Sequence, residues 1–187
     1  MYLAVDIGTG SVRCALINDS GVMLQKRVEN IKTWNPAVNF YNQSTTDIWS
    51  KIVQCLESLK SSDFDNYAKV EGIAFDATCS LVIVDGENTV KKGLGSCLET
   101  IDQNVILWMD HRAKEQATRI NSISGAELNT VGGVISPEMQ TPKLLWLYSA
   151  FKNDGRHRNL VIFGDLRIIF GNKNRNLTPK VESPRQF

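Results

Sequence analysis

The sequence has few of the residues that build the commonest metal and hydrolase sites. Only two histidines occur among its 187 residues, and the four cysteines (Cys14, Cys55, Cys79 and Cys97) show no C-x-x-C pairing. Neither a zinc cluster nor a Ser/His/Asp triad is therefore indicated. The formal net charge is only +1, which argues against the basic footprint of a nucleic-acid-binding protein.

Long hydrophobic runs are missing as well. No apolar run reaches ten residues, and the first residues, Met1 to Asp6, lack the charged and apolar regions of a signal peptide. We therefore expect no membrane span and a cytoplasmic location. In that compartment the cysteines would be free thiols, although counting alone leaves two disulfides open.

Hydrophobic periodicity predicts that the chain opens with an antiparallel β-meander. Tyr2–Val5 is a compact apolar run, residues 12–16 alternate, and Val22–Val28 forms a third strand pattern. Gly8–Ser11 and Asn18–Gly21 carry the turn residues between them.

The later patterns alternate between helix and strand, so we expect an α/β fold. A helix is predicted at Thr46–Leu59, because Ser44 and Asp47 have capping-box spacing and apolar residues then recur at helical period. The other predicted elements are a strand at Lys69–Phe75, a strand at Leu81–Val84 paired with it, a strand at Val105–Trp108, a helix at Asp110–Ile123 capped by Asp110, and a helix from Thr141 to about Phe151.

The segment Asp6–Arg13, D-I-G-T-G-S-V-R, is the strongest chemical motif. Glycines in a tight turn let backbone N–H groups approach an anion, and the hydroxyls of Thr9 and Ser11 can add donors. A carboxylate at Asp6 would repel a phosphate, but it suits a Mg²⁺ ion held through water. The alternative is a plain glycine hairpin beside a solvated aspartate. The loop is neither a Walker A motif nor a dinucleotide G-x-G-x-x-G.

This loop resembles the first phosphate loop of the actin-like ATPase and sugar-kinase superfamily. Three later segments narrow the resemblance to the FGGY-family carbohydrate kinases: Gly72–Val82, Ile106–Ala113 with its W-x-D-x-R-A pattern, and Val131–Leu147. The sequences of these segments are most similar to the D-ribulokinase-like branch of that family. The four blocks together cover residues 1 to about 151.

The resemblance implies the amino-terminal domain of an actin-like ATPase (ribonuclease H-like) fold, in which a mixed sheet opened by the meander carries packed helices. It implies ATP-dependent phosphorylation of a pentulose or related sugar, with ATP and Mg²⁺ as cofactors and a small sugar as the partner. Asp6 would serve the metal, and phosphate would be bound by Gly8, Thr9, Gly10, Ser11 and Arg13. The residues implied to face the sugar are Asp76, Thr78, Trp108, Asp110, Arg112 and Glu138.

Each implied sugar contact has an ordinary structural alternative. Asp76 and Thr78 could be strand-terminal turn residues, and Trp108 could be a core tryptophan. Asp110 could be only a helix cap, and Glu138 could be a first-turn acid that matches the helix dipole.

Two parts of a complete kinase lie outside the segments that resemble the family. The proton-accepting aspartate of FGGY kinases lies in a D-x-x-A-G type segment well beyond the matched blocks, and the adenosine site belongs to a second domain. We therefore expect residues 1–165 to be a partial, incomplete domain without turnover of its own. The alternative is a non-catalytic sugar-binding or regulatory truncated isoform. Homo-oligomerisation, or pairing with a full-length form, is left open.

The composition changes near the end of the sequence. Residues 1–150 hold 13 Lys/Arg and 17 Asp/Glu, a net charge of −4, whereas residues 151–187 hold 8 and 3, a net charge of +5. We expect residues 166–187 to form a divergent, disordered basic tail.

Overall fold

The computed structural model describes residues 1–85, 103–123, 125–152 and 160–163. The strands are β1 (Tyr2–Ile7), β2 (Ser11–Ile17), β3 (Met23–Asn30), β4 (Asn42–Gln43), β5 (Gly72–Ala77), β6 (Leu81–Asp85), β7 (Val105–Ile106) and β8 (Leu160–Phe163). The helices are α1 (Thr45–Ser62), α2 (Phe64–Tyr67), α3 (Lys114–Ser122) and α4 (Gln140–Lys152), with a 3-10 helix at Ala126–Val131. The α/β class is confirmed.

The first sheet has the strand order β3-β2-β1-β5. Its first three strands form the antiparallel meander that the sequence predicts, and β5 joins β1 in parallel, which makes the sheet mixed. In this register Asp6 lies between Arg13 on β2 and Asp76 on β5. The topology therefore brings three charged residues from separate strands to one end of the sheet.

Helix α1 covers the inner face of this sheet. It begins at a capped end, where the Ser44 hydroxyl accepts a hydrogen bond from the Asp47 N–H at 3.3 Å. The Asp47 carboxylate accepts from the Lys32 N–H at 3.0 Å, so it ties the helix start to the end of the meander. The helix buries Ile48, Ile52, Cys55 and Leu59 against Leu3, Val5, Ile7, Val12, Cys14 and Leu16.

The second sheet has the strand order β4-β7-β6-β8, with antiparallel pairs throughout. The prediction that the strand after β5 pairs with β5 is wrong. At the corner Thr78–Ser80 the Thr78 N–H still donates to the Ile7 carbonyl at 3.0 Å, and the chain then leaves the first sheet. Because β6 contributes to two cores, its residues Leu81, Val82 and Ile83 are all buried: Val82 faces α1, and the other two face α4.

The prediction that Asp110 caps a helix is also wrong. Helix α3 begins at Lys114, its N-cap position is Ala113, and no side chain caps it. The strand predicted at Val105–Trp108 is shorter and ends at Ile106. Between these two elements the chain turns, and there the Asp110 carboxylate pairs with Arg112 inside the protein. Helix α4 begins within one residue of its predicted start.

Some expectations fall outside the described residues, namely Cys97, the boundary at residue 165 and the basic tail. The cysteines in the described part are free thiols, with Cys14 and Cys55 buried and Cys79 exposed. Burial raises the pKa of the Cys14 thiol and, less strongly, that of Cys55, so both stay protonated at neutral pH. In the described ranges no helix has the length and apolar character needed to cross a membrane.

Candidate functional site

The glycine loop between β1 and β2 is a tight hairpin whose tip points away from the core. The Gly8 N–H donates to the Ser11 carbonyl at 3.0 Å, and the Gly10 carbonyl accepts from the Ile31 N–H at 3.0 Å. No hydrogen bond within the described residues uses the N–H groups of Thr9 or Gly10. A Cβ added at Gly10 would meet nothing within 4 Å, so the tip has open space for an anion beside unused donors.

An ion pair lies beside this loop. Arg13 Nη1 donates to Asp6 Oδ2 at 2.6 Å, and both side chains are about half exposed. The guanidinium also covers Gly8, because a Cβ there would lie 3.2 Å from Arg13 Nη2. The arginine thus already lies over the loop, where it could move from the carboxylate to a phosphate.

The residues around Asp6 fit a magnesium ion held largely by water and phosphate. Asp6 offers one half-exposed carboxylate, and Asp76 lies alongside on the parallel strand. No group of three or more His, Cys, Asp or Glu side chains is close enough to hold a metal in the described part of the chain. Mg²⁺ commonly binds in this way, through one or two carboxylates together with waters and substrate phosphates.

Thr9, at the tip of the loop, is held from two sides. Gln43 Nε2 donates to the Thr9 carbonyl at 2.6 Å and to Thr33 Oγ1 at 3.0 Å. Trp108 Nε1 donates to Thr9 Oγ1 at 3.0 Å, across 99 positions of sequence. The implied sugar-facing tryptophan therefore contacts the implied phosphate loop directly.

Trp108 is fixed at its backbone as well as at its ring. Its N–H donates to Ser80 Oγ at 3.3 Å, and Ser80 Oγ lies 3.5 Å from Thr78 Oγ1. Its carbonyl accepts from Lys143. The corner after β5 and the turn after β7 consequently form one hydrogen-bonded unit, which supports the placement of Thr78 and Trp108 in the same site.

Asp110 and Arg112 form a buried ion pair beneath that unit. Their side chains have no exposed surface, and Arg112 donates from Nε at 2.8 Å and from Nη2 at 2.7 Å to the two carboxylate oxygens. Arg112 Nη2 also donates to Asn42 Oδ1, and the Tyr41 N–H donates to Asp110 at 2.7 Å. Direct contact with a sugar would require this pair to be uncovered.

The Arg112 guanidinium is also enclosed by aromatic rings. Its central carbon lies 4.3 Å from the centroid of Phe40 and 5.2 Å from that of Trp146. These rings exclude water while tolerating the charge, since a guanidinium is attracted to an aromatic face. The pair is thus shielded from solvent by packed aromatic side chains.

Lys143 is a site residue that the sequence reading missed. It is 1% exposed, and its Nζ donates to the carbonyls of Leu107 at 2.8 Å, Trp108 at 2.9 Å and Glu138 at 2.9 Å. Burial lowers its pKa to about 8, and nearby Asp110 partly opposes that shift. Lys143 therefore joins the backbone of Trp108 to that of Glu138. In the sequence it is an ordinary helical lysine, and only the apolar K-L-L-W-L surroundings hint that it is buried.

Glu138 lies in the turn before α4 rather than in the helix, so the first-turn-acid interpretation does not describe it. Its Oε1 is 2.9 Å from His111 Nε2, and both side chains are more than 40% exposed. A cavity of about 430 Å³ adjoins His111, with Lys114, Asn121 and Pro137 among its lining residues. None of Asp76, Thr78, Trp108 or Glu138 lines it, although its lining residue His111 contacts Glu138.

The first 165 residues match the model of the FGGY family of carbohydrate kinases, N-terminal domain. The chain belongs to this family. The match includes the glycine loop and all three later segments. The wider family resemblance drawn from the sequence is therefore confirmed, whereas the roles of individual site residues stay predictions.

Curated relatives place the chain near one branch of the family. It is 44% identical over 149 residues to the FGGY carbohydrate kinase domain-containing protein of Homo sapiens, covering 78% of this chain and 26% of that protein. It is 42% identical over 146 residues to a D-ribulokinase of Saccharomyces cerevisiae, covering 78% of this chain and 20% of that protein. The chain thus spans about a fifth to a quarter of the length of these relatives.

Solved structures show the fold. The chain superimposes on a xylulose kinase from Rhodospirillum rubrum with a TM-score of 0.68 at 17% identity, covering 80% of this chain and 30% of that one. It superimposes on glycerol kinase with ADP from Plasmodium falciparum with a TM-score of 0.66 at 18% identity, covering 87% and 32%. The actin-like fold is therefore confirmed, and the chain covers only part of these structures.

Proposed function

We propose that this chain is the sugar- and phosphate-binding part of an ATP-dependent pentulose kinase of the ribulokinase type. The observation that carries the proposal is the hydrogen bond between Trp108 Nε1 and Thr9 Oγ1, which brings the implied sugar platform within 3.0 Å of the implied phosphate loop. A sugar kinase needs these two groups side by side, because the hydroxyl and the transferred phosphoryl group must meet in line. The similarity to a D-ribulokinase supports a pentulose as the sugar.

The open loop tip supports a phosphate role for Gly8, Thr9, Gly10, Ser11 and Arg13. Backbone N–H groups and hydroxyls would hold phosphate oxygens, and Arg13 would exchange Asp6 for a phosphate. Asp6 would hold Mg²⁺ through water, and the ion would neutralise charge on the phosphates.

The accessible polar groups of Asp76, which is exposed, and of Thr78, Trp108 and Glu138, which are partly exposed, support a sugar role for these four residues. Carboxylates and a hydroxyl can accept and donate to a polyol, while the indole face covers its C–H side. Asp110 and Arg112 would act beneath the surface, because their buried ion pair fixes the turn that carries Trp108.

We further propose that these 187 residues bind ligand without turnover and do so in the cytoplasm. The chain spans about a quarter of its relatives, and the family resemblance puts both the proton-accepting aspartate and the adenosine site beyond the matched blocks. A second candidate function is a non-catalytic sugar-binding module, which is supported by the hydrogen bonds that join Thr9, Ser80 and Lys143 to Trp108 within these residues.

Sugar-dependent thermal stabilisation tests this proposal. At ten times its Kd, D-ribulose should add about 1.4 kcal/mol to the free energy of unfolding, which raises Tm by about 3–5 °C. Glu138→Gln should remove most of that shift. Glu127→Gln, an exposed acid in the 3-10 helix, is the matched control and should keep it.

A coupled ADP-release assay with Mg-ATP and D-ribulose separates binding from turnover. The proposal expects stabilisation by the sugar and no ADP release from this chain. Robust turnover would show that these residues hold a complete active site. Stabilisation by neither D-ribulose nor another pentulose would overturn the sugar role.

A further inference from the structure

We propose that Trp108 has a second role besides facing a sugar: its indole N–H sets the Thr9 hydroxyl as a hydrogen-bond donor toward a bound phosphate. In this role Trp108 is a positioning residue for the glycine loop. The inference rests on the proposed phosphate-binding function of that loop, and it concerns how the loop is prepared for the anion.

The hydrogen-bonding capacity of the two groups fixes which one donates. An indole N–H can only donate, so at 3.0 Å from Trp108 Nε1 the Thr9 oxygen must accept. A hydroxyl that accepts through one lone pair still carries its own hydrogen. Among the described residues no other group takes a hydrogen bond from Thr9 Oγ1, so that hydrogen is free to meet an anion.

The Thr9 backbone is held at the same time. Gln43, which is 1% exposed, donates to the Thr9 carbonyl at 2.6 Å and to Thr33 Oγ1 at 3.0 Å. Gln43 lies on β4, which pairs with β7, and Trp108 follows β7 by two residues. One strand pair therefore fixes both the carbonyl and the hydroxyl of Thr9, although its residues are 34 and 99 positions away.

The tryptophan cannot easily release this contact. The backbone N–H of Trp108 donates to Ser80 Oγ at 3.3 Å, and its backbone carbonyl accepts from Lys143 Nζ at 2.9 Å. The backbone is thus held at both ends, the ring edge is directed at Thr9 by its own hydrogen bond, and Trp108 stays partly exposed. A donor oriented in advance costs no reorganisation when the anion arrives.

Inorganic phosphate titrated into the ¹⁵N-labelled chain tests the inference by NMR. The chain has four tryptophans, and the Trp108 indole signal is identified by its loss in Trp108→Phe. Phosphate should shift that signal in the wild-type chain. Thr9→Val, which keeps the side-chain shape without the hydroxyl, should move the signal before any phosphate is added and raise the Kd of phosphate about tenfold. Thr9→Ser, which keeps the hydroxyl, should leave both the starting position of the signal and the Kd of phosphate close to those of the wild type.

A double-mutant cycle separates this role from a merely structural one. Trp108→Phe should raise the Kd of phosphate about tenfold in the Thr9 chain and add nothing in the Thr9→Val chain. Trp49→Phe, a partly buried tryptophan on α1, is the matched control and should leave the Kd unchanged. If Thr9→Val does not fold, Thr9→Ala, which also lacks the hydroxyl, takes its place in the cycle.

The outcomes distinguish this inference from the proposed function. An unchanged phosphate Kd in both Thr9→Val and Trp108→Phe overturns the inference, as do additive effects in the cycle. A wild-type chain that is stabilised by D-ribulose but does not bind phosphate also overturns it, and leaves the sugar role standing. Coupled effects on phosphate without any response to D-ribulose support the inference and contradict the sugar role.

Discussion

The two sides of β6 and β7 are held together by different chemistry. On one side, the first sheet and α1 enclose an aliphatic core built from residues such as Val5, Leu16, Ile52 and Leu59. On the other side, a small apolar cluster with α4 surrounds buried charges, including the Asp110–Arg112 pair and Lys143. The first, aliphatic side is held mainly by packed apolar residues, whereas the second, polar side holds its buried charges through specific partners and leaves Arg112 Nη1 without one.

The aliphatic side supplies most of the stability, and the polar side fixes the positions of side chains in the candidate site. Burying aliphatic surface gives stability that depends little on direction, at about 25 cal/mol per Å². Burying a charge costs free energy unless its partners are well placed, so a polar interior fixes geometry rather than adding stability. Of the residues proposed to face a sugar, Trp108 and Glu138 lie on the polar side next to Lys143, whereas Asp76 lies at the end of β5 in the first sheet.

Removing Asp110 should have the largest effect. Asp110→Ala would leave the Arg112 guanidinium buried without its carboxylate, which should cost about 3–5 kcal/mol of the free energy of unfolding. Urea denaturation followed by circular dichroism measures that loss. Asp65→Ala, an exposed acid in α2, is the control and should leave the midpoint unchanged. A loss below about 1 kcal/mol for Asp110→Ala would mean that the pair is not held as described.

The aliphatic side should respond to lost volume rather than to lost charge. Leu59 is fully buried on α1, so Leu59→Ala should cost about 2–5 kcal/mol. Leu59→Met preserves most of the volume and should cost less than about 1.5 kcal/mol. Equal losses in the two variants, measured by the same urea denaturation, would contradict an account in which this side depends only on filled space.

The buried Lys143 should make the stability of the polar side depend on pH. Burial lowers the pKa of Lys143 from 10.5 to about 8, so between these values the unfolded chain holds a proton that the folded chain has released. The free energy of unfolding of the wild type should therefore rise relative to Lys143→Met as pH increases from 8 to 10.5, by at most about 3 kcal/mol.

Comparing the two chains removes the contributions of other groups that titrate in this range, because both chains share them. Denaturation at intervals of pH gives the difference directly. A wild-type advantage that falls with rising pH would show that the three carbonyl partners and Asp110 favour the ammonium form enough to outweigh burial.

The smallest effect should come from the helix cap where the two sides meet. Ser44→Ala removes the acceptor for the Asp47 N–H and should cost about 1 kcal/mol, most of which Ser44→Thr should restore. Thermal melts of the three chains provide the comparison. No loss in Ser44→Ala would indicate that the Lys32–Asp47 contact alone holds the start of α1.

The sequence predicts the aliphatic side well and the polar side poorly. The meander and α1 follow from local periodicity, so their predicted bounds lie within about three residues of those observed. Asp110 illustrates the limit: its spacing before a helical pattern suggested a cap, but its carboxylate pairs with Arg112 inside the protein. A local pattern cannot reveal a partner brought by tertiary packing.

The candidate site shows the same limit. The segments that carry Asp6, Thr78, Trp108 and Glu138 were identified from their resemblance to a family, but their connections were not. Thr9 meets Trp108 across 99 positions, and Lys143 ties Trp108 to Glu138 through backbone carbonyls that have no sequence signature. The move of β6 into a second sheet was missed because its apolar run fits either sheet equally well.

In this proposal the polar side binds the sugar while the aliphatic side serves only as its scaffold. Hydrogen exchange with and without D-ribulose tests this most directly. We expect slower amide exchange in residues 103–113 and 136–143 when the sugar is present, with little change in β2, β3 and α1. Protection confined to β2, β3 and α1, or no protection at saturating sugar, would contradict it.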